Sequence, residues 1–149
     1  MIVGIGVDLV DIARFERTIA RTPRLLGRLF SPAEQALKPR SLAARYAAKE
    51  ALIKALGGSD GVHWTDIEVT REQSGRPWFA LSGSTAAVVA DRGIGTLHLS
   101  MSHDAGFAVA YVVADGTDAP TADAPTTDAP TSDVPRAGTP AAGAGGEAA

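Results

Sequence analysis

The sequence predicts an α+β domain with a largely antiparallel sheet and one long helix. Three observations carry this. Apolar strand-like runs lie at the start of the chain and at 97–113; an alanine-rich helical block sits between them; and the order strand, helices, paired strands, helix, paired strands favours hairpins over repeated βαβ units. A dinucleotide fold is excluded, because Gly4 and Gly6 have no third glycine at the required spacing and no lysine follows a glycine loop as in a P-loop.

In chain order, residues 2–7 are β-branched and apolar on both faces, which predicts a buried strand ending near Asp8. Ile12, Phe15 and Ile19 recur at helical spacing, so the next segment packs one face on the core. Thr22-Pro23 offers a cap with proline at the first helical position, and Ser31-Pro32-Ala33-Glu34 has the capping-box pattern for a short helix. Lys38-Pro39-Arg40 reads as a short loop. Ser41 is placed to cap a helix over 42–56, which six alanines favour and Gly57-Gly58 stops. Two strands, centred on 67–69 and 78–81, flank the turn signal Ser74-Gly75-Arg76-Pro77. A helix over 84–92 closes at Gly93. Leu97, Leu99 and Met101 then alternate with His98, Ser100 and Ser102 in a half-polar strand, and an apolar strand at 107–113 ends the domain.

Beyond 114 the composition changes to Thr, Ala, Asp, Pro and Gly with almost nothing large to bury, and Thr-Asp-Ala-Pro at 117–120 is followed by a Thr-x-Asp-x-Pro pattern repeated through 121–135. Residues 1–114 therefore read as the domain and 115–149 as a disordered, solvated tail. The tail hides the charge of the domain. The chain sums to −3, but residues 1–114 hold 13 basic and 11 acidic side chains, a net of +2. That balance suits an anionic small molecule or an acidic protein, not bulk nucleic acid. With no cysteine, disulfides, a thiolate nucleophile and cysteine-based zinc sites are excluded. The absence of a signal-peptide pattern and of any run near 20 apolar residues leads to the expectation of a cytoplasmic protein that does not enter membranes.

Arg14, Arg17, Arg21, Arg24 and Arg28 are spaced alternately three and four apart, so they form one stripe if a helix continues across Pro23. It lies about 200° from the Ile12, Phe15, Ile19 stripe at about 100° per residue, and so faces away from the core. A solvated face is the bland account. With Glu16 as the one acidic neighbour, a docking surface for an acidic partner helix is favoured. Glu50 and Lys54, four apart beside Lys49, fit an ordinary intrahelical salt bridge or, alternatively, a Mg²⁺-holding carboxylate next to a phosphate-holding ammonium. Asp8 is a candidate second carboxylate, with a helix cap as its competing role; nothing in the sequence brings it to Glu50. Ser102-His103-Asp104 spells the letters of a hydrolase triad, but adjacent side chains diverge along the backbone and do not form one. His103 stays open between a phosphate donor and a turn residue.

Three blocks, Gly4-Ile5-Gly6-Val7-Asp8-Leu9-Val10-Asp11-Ile12 with Arg14-Phe15, Arg45-Tyr46-Ala47-Ala48-Lys49-Glu50-Ala51-Leu52-Ile53-Lys54-Ala55-Leu56-Gly57, and Leu99-Ser100-Met101-Ser102-His103-Asp104, together resemble the holo-[acyl-carrier-protein] synthase family. The resemblance spans nearly all of 1–113. It implies the 4′-phosphopantetheinyl transferase fold and Mg²⁺-dependent transfer of 4′-phosphopantetheine from coenzyme A to a serine of an acyl carrier protein, releasing adenosine 3′,5′-bisphosphate. It implies Asp8 and Glu50 as Mg²⁺ ligands, with Glu50 and Lys54 catalytic. Coenzyme A would be bound by Arg45, Lys49, Lys54, Gly57, Ser102 and His103, the carrier protein by the arginine stripe. The family works as a homotrimer with sites between subunits, and the repeat tail has no counterpart in it. Two other readings stand beside this one: a carrier-protein binding module without catalysis, which the intact Asp8, Glu50 and Lys54 oppose, and a different Mg²⁺-dependent nucleotide enzyme, which would have no use for the arginine stripe.

Overall fold

The computed structural model describes residues 1–117; the repeat tail from 118 onward lies outside the described residues. The chain runs β1 (Ile2–Asp11), α1 (Ile12–Arg21), α2 (Arg24–Leu29), α3 (Pro32–Gln35), α4 (Pro39–Ala55), β2 (Ile67–Arg71), β3 (Pro77–Leu81), α5 (Gly83–Asp91), β4 (Ile94–Asp104) and β5 (Phe107–Gly116). β1, β5 and β4 form an antiparallel sheet in that order, and β2 and β3 form a separate antiparallel pair. The α+β prediction with antiparallel sheets holds.

The core is a thin seam between the three-stranded sheet and α4. The helix turns Ala43, Ala47, Ala48, Ala51 and Leu52, all fully buried, inward, and β5 meets it with Ala108, Ala110, Val112 and Ala114. Small side chains on both surfaces let the two backbones come close. At Gly4 and Gly6 the approach is closest: a β-carbon would lie 2.0 Å from the Ala55 carbonyl oxygen at position 4 and 1.9 Å from that of Ala51 at position 6, far inside van der Waals contact.

Several boundaries move from their predicted places. β1 continues past Asp8 to Asp11 because β5 supplies ladder partners as far as Asp11 opposite Phe107. Asp11, rather than Asp8, caps α1, its Oδ1 accepting from the Arg14 amide at 2.9 Å. The capping box at Ser31 forms as its letters predict. Lys38-Pro39-Arg40 is not a loop: Pro39 opens α4 with Lys38 at the N-cap, so Ser41 lies inside the helix.

β5 also runs beyond the boundary expected at 114. Gly116 donates to the Met1 carbonyl at 2.8 Å, Thr117 to that of Gly93 at 2.8 Å, and the Met1 ammonium lies 2.9 Å from Asp115. Ending the chain after Thr117 should leave the melting temperature nearly unchanged, since the residues removed carry little to bury. Ending it after Ala114 should lower that temperature by several degrees through lost strand pairing. Thermal melts of the two truncations check this. Equal melting temperatures would return the boundary to 114.

Candidate active site

Side chains alternate along β1, so the residues facing α4 are Gly4, Gly6, Asp8 and Val10. This brings Asp8 to the C-terminal half of the helix. The Lys54 ammonium donates to Asp8 Oδ1 at 2.7 Å and to the Val7 carbonyl at 2.9 Å. Lys54 thus reaches across to β1. Glu50 lies one turn earlier on the same helix face and Tyr46 one turn before that; the Tyr46 hydroxyl donates to Glu50 Oε1 at 3.3 Å. Asp8, Asp11, Arg14, Phe15, Tyr46 and Glu50 line one cavity of about 490 Å³. Burial, followed by the Glu50 charge and hydrogen bond, pushes the Tyr46 phenol above its ordinary range, so at neutral pH it is a protonated donor. The two carboxylates and the ammonium singled out in the sequence converge from β1 and α4.

Arg45 and Lys49 point elsewhere. The Lys49 side chain is 0% exposed, and its ammonium donates to Glu34 Oε2 at 2.7 Å, the Leu29 carbonyl at 2.7 Å and the Trp64 carbonyl at 3.2 Å, with its nitrogen 5.0 Å from the centre of the Phe30 ring. Desolvation pulls its pKa down, partly offset by Glu34. An ammonium has three N–H donors, and all are taken by protein. Lys49 is therefore a structural cation, which corrects its reading as a coenzyme contact. Arg45 donates to the carbonyls of Val69 at 3.2 Å and Ser41 at 3.3 Å, on the β2 side of α4, so it does not join Asp8 and Glu50. Its pKa too is lowered by desolvation.

Ser102 and His103 are exposed near the end of β4. The Arg40 guanidinium donates to the His103 ring, and the two residues line a second cavity of about 470 Å³ with Asp11, Glu16 and Asp104. Gly57 follows the last turn of α4 with φ 77°, its amide bonded to the Lys54 carbonyl at 3.0 Å. It ends the helix directly after the Lys54 turn.

All five stripe arginines are exposed, but they do not share one helix. The chain breaks between α1 and α2 at Thr22-Pro23, where Thr22 leaves the helical conformation with φ −134° and ψ 72° and Pro23 leads α2 with no side-chain cap. Arg14, Arg17 and Arg21 belong to the first segment, Arg24 and Arg28 to the second. Arg14 also lines the Asp8–Glu50 cavity, which its spacing did not reveal.

Residues 4–112 match the family model described as the 4′-phosphopantetheinyl transferase superfamily. The chain belongs to that superfamily. The transferase is 62% identical over 120 residues to the holo-[acyl-carrier-protein] synthase of Clavibacter michiganensis subsp. michiganensis, an alignment covering 80% of this chain and 100% of the relative. It superposes on the crystal structure of holo-[acyl-carrier-protein] synthase from Neisseria meningitidis with a TM-score of 0.72 at 35% identity, covering 77% of this chain and 99% of that one. The Helicobacter pylori synthase in complex with coenzyme A gives a TM-score of 0.67 at 38% identity, with coverages of 74% and 99%. The resemblance read from the three blocks is borne out, and with it the assignment as a transferase enzyme.

Two side chains in the transferase's cavities were not singled out from the sequence. Tyr46 sits four residues before Glu50, a spacing that places both on one helix face and was available as a signal. Arg40 had no such signal, because its neighbour His103 is 63 residues away.

Proposed function

We propose that this transferase moves the 4′-phosphopantetheine arm of coenzyme A onto a serine hydroxyl of an apo acyl carrier protein. The observation that carries the reading is the meeting of Asp8 and Glu50 at one cavity, with the Lys54 ammonium bound to Asp8 at 2.7 Å. The donor set fits Mg²⁺, which takes one or two carboxylates from a protein and completes its shell with water and substrate phosphate. Among the described residues no cluster of three or more His, Asp or Glu offers a site of another kind. Asp8 and Glu50 would hold the ion; when bound, it supplies positive charge and orientation at the coenzyme's pyrophosphate. Lys54, whose ammonium already sits against a carboxylate oxygen at 2.7 Å, neutralises phosphate oxygens beside it. The serine oxygen bonds to the phosphorus bearing pantetheine as its proton is given up to solvent, the bridging P–O bond breaks, and adenosine 3′,5′-bisphosphate leaves with the bridging oxygen, so catalysis rests on in-line positioning and charge. The coenzyme complex of the Helicobacter pylori synthase supports coenzyme A as the donor.

The outer face of the sheet fits a self-association surface, in keeping with the homotrimer that the family resemblance implies. Val3, Ile5, Val7 and Leu9 of β1 are about half exposed or more, at 53%, 53%, 49% and 61%, and Tyr111 lies beside Val7 on β5 at 45%. Such a continuous apolar face is characteristic of an interaction surface. In the assembled enzyme His103, with Ser102 and Arg40, would serve a coenzyme held partly by the neighbouring copy.

Intact-mass spectrometry of an apo carrier protein after incubation with coenzyme A, Mg²⁺ and this enzyme tests the reading. A mass gain of one phosphopantetheine on the serine is expected; none would overturn it. Carrier-protein docking is checked separately. Because Arg14 lines the cavity, the informative variant reverses Arg17, Arg21 and Arg24 together to Glu. At about 0.2–1 kcal/mol per exposed pair, the KM for the carrier protein should rise roughly 3- to 100-fold at low salt. The KM for coenzyme A should stay near normal, and the effect should shrink toward about 1 M salt, where the Debye length is about 3 Å. An unchanged KM for the carrier protein would make the arginines a solvated face.

A further inference from the structure

The Glu50 carboxylate is not left to find its own direction. Its Oε1 accepts the Tyr46 hydroxyl at 3.3 Å, and the Tyr46 ring packs against two other aromatic rings. Phe15 of α1 lies 5.5 Å away at 44°, and Trp64, on the turn before β2, stacks on it at 5.3 Å and 20°. Phe15 is itself fixed edge-on against the buried Phe30 at 6.2 Å and 87°. Trp64 is tied to the same helix through its carbonyl, which accepts from Lys49. A carboxylate at the end of a glutamate side chain would otherwise sample several rotamers. Here one oxygen is fixed by a phenol whose ring has little room to turn, and the other is left for a ligand in the cavity shared with Asp8.

We infer that Tyr46 is a positioning residue, clamped by Phe15 and Trp64, which orients Glu50 so that its carboxylate and that of Asp8 face one divalent cation. The inference rests on the proposed metal role of Asp8 and Glu50. A hydroxyl that donates to a ligating carboxylate leaves the ligand count unchanged and lowers the cost of organising the site. Loss of such an outer partner typically weakens metal binding by about 10- to 100-fold. At 3.3 Å the bond is long, so the lower end applies here.

The test is isothermal titration of Mn²⁺, a stand-in for Mg²⁺, into the full-length protein, its Tyr46→Phe variant and its Glu50→Gln variant, with thermal melts alongside. Tyr46→Phe keeps the ring, and hence the packing, while removing the donor. Its Kd for Mn²⁺ should rise about tenfold with little change in melting temperature, a combination that a purely packing role for Tyr46 would not produce. In turnover assays the Mg²⁺ concentration giving half-maximal rate should rise in parallel, with the rate largely recovered at saturating Mg²⁺. If Glu50→Gln abolishes Mn²⁺ binding while Tyr46→Phe binds within twofold of the parent, the positioning role is overturned and the metal site stands. If Glu50→Gln binds like the parent, the metal site itself is wrong and the role of Tyr46 falls with it.

Discussion

Asp8→Ala and Glu50→Ala should each reduce phosphopantetheine transfer by roughly a thousandfold or more while leaving a normally folded protein. Loss of a metal ligand removes charge stabilisation worth several kcal/mol where the pyrophosphate reacts, and about 4 kcal/mol corresponds to a thousandfold in rate. The folded state should hardly notice. In the Asp8–Lys54 pair Lys54 is 50% and Asp8 17% exposed, and a pair with one partner so open to solvent contributes about 0–1 kcal/mol to stability. Lys54→Ala should follow at roughly ten- to a hundredfold, since a charge-assisted phosphate contact is worth about 1.5–3 kcal/mol. Single-turnover rates at saturating Mg²⁺, with circular dichroism as the control for folding, give the answer. Near-normal turnover in either carboxylate variant would remove that residue from the site.

The opposite pattern is expected on the other face of α4. Lys49→Met strands the Glu34 carboxylate, which is 2% exposed, and removing one member of a buried ion pair typically costs about 3–5 kcal/mol. Glu34→Ala should cost at least as much. Glu34 Oε2 also accepts from the Ser31 amide at 3.0 Å and Oε1 from the Val69 amide at 3.0 Å, so its loss orphans two backbone donors as well as the ammonium. For a domain whose total stability is about 5–15 kcal/mol, either change is a large fraction. Urea unfolding measures it: midpoints should fall steeply, while any folded fraction of Lys49→Met keeps an ordinary KM for coenzyme A. A raised KM with an unshifted midpoint would restore Lys49 as a coenzyme contact.

Local chemistry made much of this fold legible. The capping box at Ser31 and the alternation along β4 each depend on residues a few positions apart and formed as read, while the turn read at 74–77 formed one to two residues earlier, over 72–76, with Pro77 already paired to Arg71 in β3. Long-range pairing was less accessible. The end of β1 is set by β5, about a hundred residues later, and the end of β5 by the N-terminal strand it pairs with. The candidate site divides the same way. The spacing of Glu50 and Lys54 put them on one helix face, but only the fold shows that Lys54 reaches Asp8 and that Lys49, the next residue before Glu50, turns into the core toward Glu34. A lysine one position from a functional glutamate looks functional by letter. On a helix, one position is about 100° of rotation, enough to move it from the cavity to the core.

The close seam between β1 and α4 makes two silent positions arbiters of the chemistry. Asp8 rides on one wall of that seam and Glu50 and Lys54 on the other, so the hydrogen atoms standing in for side chains at Gly4 and Gly6 set the gauge between them. An added methyl at position 6 would meet backbone, which cannot swing aside as a side chain can, so the two walls would have to part. The placing of the acidic residues therefore depends on these two glycines, although neither position carries a functional group.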